Sequence, residues 1–337
     1  AEALTNAGVL VFDAMSPVLE GMEDRGSTAQ ADGQGRLDLA ETVLALDAAQ
    51  PALASAEAEL GRAEDLQLEL EKKSLSPRLG RLLDLTGRYL PLLRAGVGAA
   101  QLAPALLGAN GPRTYLILAQ NDDERRPTGG WISGLGLLTV EQGRVSEVNF
   151  LDSWMVDNLQ VPHEIPPESM YRTLWAEIWL FRDANWSPDF PTSAQVAEDI
   201  LRRDQGIVVD GVIAVDQRAL QLMVGALQPL YVESSGDPVN ASNVLTFVRQ
   251  AWAEPQEGVT LAEGWGEWVT HRKDFMSDLT GAMLQRVQER PESVDLSRLG
   301  RSLLQSLQER HVLLYLHDPE AAALLASQRW DGGIVTE

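Results

Sequence analysis

At Gly108-Ala-Asn-Gly-Pro112 the chain changes character, and this change limits the possible folds more than any other feature. Before it, residues 1–109 are rich in Ala, Leu and Glu. From Leu37 to Leu70 the only Gly is Gly61 and the only Pro is Pro51. Apolar residues at Leu39, Val43, Leu46, Ala49 and Leu53 recur near helical spacing. A continuous helix there would run about 50 Å. Pro51 kinks or breaks it, because proline removes a backbone donor and crowds the preceding turn. Ser76-Pro77 starts a further helix through Leu79, Leu82, Leu83, Leu85, Tyr89 and Leu90, against the weakening effect of Gly80 and Gly87. Residues 1–109 therefore read as a helical hairpin or stalk, whose Ala-Leu face offers a packing surface for a partner chain.

Residues 110–337 alternate between strand and helix signals. Arg113 to Gln120 is a β-branched and aromatic run that predicts a buried strand. Trp131 to Val140 and Arg144 to Leu151 predict a hairpin around Glu141-Gln-Gly143. Helices are expected at Ser169 to Leu180, at Thr192 to Asp204 with Thr192 or Ser193 as cap, and at Gln217 to Leu227. Val208 to Val215 reads as a strand and Leu230 to Glu233 as a short one. Further helices are expected from Asn240, Ser242 and Asn243 through Arg249 and Trp252, across Gly264 to Leu284, and from Ser297 to Glu309, before a last strand at His311 to Leu316. This order predicts an α/β domain, a mixed central sheet flanked by helices, behind a mostly α-helical N-terminal region.

The net charge of −22 disfavours nucleic-acid binding. Lysine occurs only at 72, 73 and 273, so 24 of the 27 basic residues are Arg, the side chain best suited to fixed anion clamps. The absence of Cys removes disulfides, thiolate zinc sites and thiol nucleophiles. No P-loop, GxSxG or HExxH pattern occurs, and the four His lie at 163, 271, 311 and 317. No apolar run is long enough to cross a membrane. The first residue is Ala, which leads to the expectation of a preceding signal or anchor.

Three segments concentrate polar chemistry. Asn121 to Gly130 leaves the C-terminal end of a buried strand, where open α/β sheets place ligands. It carries Asp122, Asp123, Arg125, Arg126 and Thr128 beside a Gly pair. It reads equally as a charged turn and as an anion site, direct or through a divalent cation. Phe181 to Phe190 packs Arg182, Asp183, Asn185, Trp186 and Asp189 between prolines, with hard oxygen donors but no calcium-loop spacing. Thr270-His-Arg-Lys-Asp274 puts Arg272 and Lys273 at a helix start, within reach of Arg249 on an earlier helix.

Residues 115–136, 182–200, 209–227 and 309–318 together resemble the bacterial domain-of-unknown-function 4012 family, over about Arg113 to Gly333. That family is similar in turn to the LytR-CpsA-Psr phosphotransferases, which move glycopolymers from a polyprenyl pyrophosphate carrier to the cell wall. The resemblance implies a membrane-anchored, extracytoplasmic protein. It implies that Arg126, Arg182, Arg249 and Arg272 converge on a pyrophosphate, with Arg125, Thr128, Asn185 and Lys273 as further contacts. It implies Mg²⁺ on Asp122, Asp123 or Asp183, a base at Asp183 or Asp189, an apolar pocket for the prenyl chain, and a wall or surface glycan as acceptor. Leu227-Gln-Pro229 replaces the phosphotransferases' Gly-Gly-Val turn, and their Pro-Arg-Asp turn has no counterpart near Asp152 to Asp157. A non-catalytic envelope interaction module on the same fold is the alternative.

Overall fold

The computed structural model describes residues 39–71, 73, 76–252, 274–289 and 293–335, together with Asn6, Gly8 and Val9. Contacts divide the chain into two compact units, Ala1–Pro112 with Val140–Arg144, and Arg113–Thr139 with Val145–Glu337.

In the first unit, α1 (Leu39–Ala48), α2 (Gln50–Glu71) and α3 (Pro77–Leu106) are helical. The break falls at Ala49, one residue before α2 begins, and Pro51 sits in the first turn of α2 where its missing N–H costs nothing. Leu53, Ala56, Leu60 and Ala63 of α2 pack against Leu90 and Val97 of α3. Arg94 adds an ion pair to Glu57 at 2.7 Å. The third helix runs to Leu106, 16 residues past the predicted Leu90, and takes Pro91 and Pro104 into its interior. Among the described residues no helix is long and apolar enough to cross a membrane.

The second unit is built on a five-stranded sheet in the order β3-β2-β1-β4-β5. The strands are β1 (Arg113–Asn121), β2 (Trp131–Glu141), β3 (Arg144–Asp152), β4 (Gly211–Val215) and β5 (Val312–Leu316). β1 pairs parallel to β4, Tyr115 opposite Gly211 through Ala119 opposite Val215. β4 pairs antiparallel to β5, so the sheet is mixed. Gln142 and Gly143, both at positive φ, close the predicted hairpin as a type I′ turn.

Helices flank this sheet: α4 (Glu168–Leu174), α5 (Phe190–Gln205), α6 (Gln217–Leu227), α7 (Val244–Trp252), α8 (Asp274–Glu289), α9 (Leu296–Gln308) and α10 (Pro319–Gln328). The main core joins Leu116 and Leu118 of β1, Ile132 and Leu135 of β2, Val212 and Ala214 of β4, and Ala194, Ala197, Ile200 and Leu201 of α5. A second cluster joins Val224 and Leu227 of α6 to Val244, Val248, Phe275, Met276 and Leu279.

Four expectations are corrected. The helix predicted to reach Leu180 stops at Leu174, because Trp175 turns left-handed and Trp179 N–H bonds instead to Glu164 C=O at 3.1 Å. The cap of α5 is Asp189 rather than Thr192 or Ser193. The strand expected from Val208 starts only at Gly211. The short strand after Leu230 is a single bridge to Val239. Helix α10, opened by an Asp318 cap and Pro319, had no counterpart in the sequence reading. The part of the expected helix at 264–273 lies outside the described residues.

Candidate functional site: an arginine pair on two interlocked loops

The parallel strands β1 and β4 end side by side, and their C-terminal ends deliver the site. β1 runs into the 122–130 loop. β4 runs into α6, whose cap Asp216 accepts from Ala219 N–H at 2.9 Å and pairs with His311 Nδ1 at 2.7 Å. Gln217 reaches back to the Asn121 side chain, tying the two strand ends together.

The 122–130 loop is shaped by its glycines. Gly129 and Gly130 hold φ of 126° and 128°, values that side chains rarely adopt. A Cβ at Gly130 would stand 2.3 Å from Asn121 O, and one at Gly129 2.4 Å from Gln120 Oε1. Thr128 between Pro127 and this pair is left-handed at φ 65°.

The 181–190 loop is pinned at both ends by Phe181 and Phe190, each fully buried. Truncating either would cost about 3–5 kcal/mol. Between them lies Asn185, fully buried as well. Its Nδ2 donates to Gly130 O at 2.7 Å, Pro127 O at 2.9 Å and Thr128 Oγ1 at 3.2 Å. Gln120 Nε2 also donates to Thr128 Oγ1, at 2.8 Å. One asparagine therefore locks the two candidate loops together. Thr128 Oγ1 accepts from Gln120 and shares the Asn185 amide, so its own O–H is the donor this hydroxyl still offers.

This interlock brings Arg126 and Arg182 to opposite oxygens of one carboxylate. Arg126 Nε lies 3.6 Å from Asp183 Oδ1, and Arg182 Nε 3.7 Å from Asp183 Oδ2. All three side chains are largely buried. Arg126 Nε has no hydrogen-bond partner. The Arg182 guanidinium lies over the Trp154 ring, 4.3 Å from its centroid, which fixes it by cation–π attraction. Burial pushes the Asp183 carboxyl above its ordinary range and outweighs the opposing pull of Arg182 and Arg126. Two fixed cations flank one reluctant anion, and the Asp157 carboxylate also acts on Arg182.

The other candidates have different surroundings. Asp123 is held by Arg249 in a two-bond fork, Nε to Oδ2 and Nη2 to Oδ1 both 3.0 Å, and this hydrogen bonding lowers its pKa. Asp122 is raised by desolvation and then by the Asp216 carboxylate. Arg125 is exposed, and its C=O accepts from Arg126 Nη1 at 3.1 Å. Asp189 accepts from Thr192 N–H at 3.1 Å, Thr192 Oγ1 at 2.6 Å and Ile334 N–H at 2.9 Å. Burial pushes Asp189 up, yet these bonds hold it below its ordinary value, as befits a cap. Arg272 and Lys273 lie outside the described residues.

These surroundings make Asp123 and Asp183 a poor fit for Mg²⁺. Asp123 already has a bidentate cation, and Asp183 has one on each oxygen. Among the described residues, the three ligand-type groups close enough to hold a metal are Asp157, His163 and Asp204. There, too, a guanidinium is in place. Arg203 donates to Asp204 Oδ1 at 2.6 Å, to Asp204 Oδ2 at 3.0 Å and to His163 Nδ1 at 2.9 Å. His163 then uses Nε2–H on Asn158 O at 3.2 Å. Asp157 accepts from Phe181 N–H at 2.8 Å, so this cluster braces the residue next to Arg182. Gln120, Trp154 and Asp157 went unassigned as site residues in the sequence. Only their position beside a strand end or loop end hints at a role.

Residues 110–252 match the family model described as "Protein of unknown function (DUF4012)". No curated protein matches the chain. Solved structures similar to it include B. subtilis TagV, at 12% identity over 66% of this chain and 80% of that one, with a TM-score of 0.36. The transcriptional regulator yvhJ from Bacillus subtilis is similar at 12% identity over 67% and 78%, TM-score 0.35. Lin1025 protein from Listeria innocua is similar at 13% identity over 66% and 79%, TM-score 0.34.

Proposed function

We propose that this chain, whose residues 110–252 match the DUF4012 family model, binds the phosphate or pyrophosphate headgroup of a polyprenyl-linked glycan at the bacterial cell envelope. The observation that carries the reading is the Arg126–Asp183–Arg182 group. Two guanidiniums, fixed by the loop interlock and by Trp154, flank the buried Asp183 carboxylate at ion-pair distances of 3.6 and 3.7 Å, with Asp157 a second acid acting on Arg182. In this reading a phosphate oxygen accepts from the Nη groups of the pair, and the Thr128 hydroxyl adds a further donor. Each charge-assisted bond contributes about 1.5–3 kcal/mol. The polyprenyl carrier, the glycan and the membrane-anchored, extracytoplasmic setting rest on the family resemblance.

Transfer is the finer part of the reading. An acceptor hydroxyl oxygen on a wall or surface glycan attacks the glycan-bearing phosphorus. The phosphoanhydride bond breaks, polyprenyl phosphate leaves, and the hydroxyl proton passes to Asp183, whose raised pKa suits a base. A second reading, an envelope module that holds its ligand without transferring it, is favoured by the commitment of Asp123 to Arg249 and of Asp183 to two arginines.

The test is lipid mass spectrometry on the chain purified from its own envelope. Wild type carries polyprenyl phosphate or pyrophosphate, and Arg126→Ala and Arg182→Ala do not. A wild-type protein without such lipid, and without affinity for farnesyl pyrophosphate in either Mg²⁺ or EDTA, overturns the proposal.

A further inference from the structure

Arg182 owes its place to a segment earlier in the chain. Its guanidinium rests on the Trp154 ring. The backbone beside it is held where Asp157 Oδ1 accepts from Phe181 N–H at 2.8 Å. Both anchors belong to residues 154–158, and the last turn of α5 holds that segment in turn. Gln205 Nε2 donates to Val156 O at 2.7 Å, and Asp204 Oδ2 accepts from Asn158 N–H at 3.2 Å. His163 Nε2–H donates to Asn158 O at 3.2 Å.

This clamp depends on one cation. The Asp204 side chain is fully buried, and that of His163 is 3% exposed. Arg203 forks both Asp204 oxygens, at 2.6 and 3.0 Å, and sends a third hydrogen bond to His163 Nδ1 at 2.9 Å. A guanidinium can only donate, so Nδ1 accepts and the ring proton sits on Nε2, where Asn158 O takes it. Asp157 adds a second acid. No hydrogen bond reaches its buried Oδ2. Burial pushes its carboxyl above the ordinary range, and the Asp204 charge adds to this. Two carboxylates and an imidazole lone pair are the donor set of a divalent-metal site, and one ligand atom from each lies within 4.8 Å of the others. Donors on one ion at about 2.1 Å stand at most about 4.2 Å apart, so a closure of about half an ångström would let these three share one. A guanidinium stands there instead.

We infer that Arg203 is a built-in cation on a latent divalent-metal site, and that from there it is the positioning residue for Arg182. The positioning half rests on the proposed headgroup reading. Arg203 reaches that site only through other groups. Without its charge, Asp204 and Asp157 face each other uncompensated in a largely buried place. Asp157 then gives up its hold on Phe181 N–H, and Arg182 leaves its place. Arg202, the next residue back, makes only a surface pair with Asp199 and is 63% exposed, so it serves as the control.

The test uses the untagged full chain. Co²⁺ is titrated without pyrophosphate while visible absorption and the thermal midpoint are followed. Arg203→Ala takes up about one equivalent more than wild type and its midpoint rises, and adding His163→Ala abolishes that uptake. In EDTA, Arg203→Ala binds farnesyl pyrophosphate at least about tenfold more weakly than wild type, while Arg202→Ala stays within about twofold. Saturating Co²⁺ brings Arg203→Ala to within about threefold of wild type measured in the same ion. If Arg203→Ala does not fold in EDTA, refolding in Co²⁺ recovers it. The inference is overturned if Arg203→Ala binds farnesyl pyrophosphate like wild type, if it takes up no extra Co²⁺, or if it folds in neither condition. A wild type that ignores farnesyl pyrophosphate sinks the headgroup reading and the positioning role with it, while Co²⁺ uptake still decides the latent site.

Discussion

Replacing Asn185 with Ala tests the interlock on which the site depends. Asn185 is fully buried and donates to Gly130 O, Pro127 O and Thr128 Oγ1 at 2.7, 2.9 and 3.2 Å. The amide has two protons shared among the three acceptors, so about two full bonds at about 1 kcal/mol each set a loss near 2 kcal/mol. Part of this is recovered, because Asn185 Oδ1 is itself buried without a partner and leaves with the side chain. The net expectation is a loss of about 1–2 kcal/mol, or roughly 2–8 °C in a unit of this size. Asn185→Asp is the harsher change, since it faces three acceptors with a carboxylate, and should cost at least about 4 kcal/mol. Urea titration followed by tryptophan fluorescence measures both. All nine Trp lie between Trp131 and Trp330, so the signal is confined to the sheet-bearing unit. Leu201→Ala, a buried truncation on α5 costing about 2–5 kcal/mol, is the control. Asn185→Ala should weaken pyrophosphate binding and Leu201→Ala should not. An Asn185→Ala protein within about 0.5 kcal/mol of wild type would refute the interlock, as would an Asn185→Asp protein more stable than Asn185→Ala.

Three further outcomes are expected. Asp183 has a native pKa above its unfolded value, so its contribution to stability is full below the ordinary carboxylate range and is lost as pH rises through the native pKa. Asp183→Asn should then exceed wild type in thermal stability at pH 7, with the gain closing as pH falls towards 4, and should bind pyrophosphate more tightly; no pH dependence of the difference would contradict the burial argument. Asp189→Ala should cost about 1 kcal/mol in urea titration, as loss of a helix cap does, and leave anion affinity within about twofold; a large affinity loss would return Asp189 to the site. Gly130→Ala should destabilise at least twice as much as Gly236→Ala, because both have positive φ, worth about 1 kcal/mol, but only Gly130 also meets backbone within 2.3 Å.

The order of strands and helices in the second unit follows from hydrophobic period and turn residues, and these are local in sequence. That is why β1, the hairpin and α6 fall where the pattern indicates. The errors arise where distant contacts decide. Helix α4 ends early because Glu164, 15 residues before Trp179, claims its N–H. The α5 cap is an exception, since the bond that makes Asp189 the cap is local, Thr192 N–H to its Oδ2, and the sequence pattern did not single it out. The two loops at 121–130 and 181–190 were legible as chemistry from their density of Arg, Asp, Asn and Gly. Their mutual locking by Asn185 was not, because a side chain's hydrogen-bond partners 55 residues away leave no periodic trace. The assignment of carboxylates to a metal also depended on three dimensions. Composition shows hard oxygen donors, but only geometry shows that Arg249, Arg126 and Arg182 already stand against them.

The central claim is that Arg126 and Arg182 form one anion-binding group with Asp183. Calorimetric titration of the full chain with farnesyl pyrophosphate, with and without EDTA, tests it most directly. Wild type should bind in both conditions, Arg126→Ala and Arg182→Ala should each bind about 10- to 150-fold more weakly, and Asp189→Ala should bind like wild type. Wild-type binding that survives loss of both arginines, or no binding by wild type, would contradict the account.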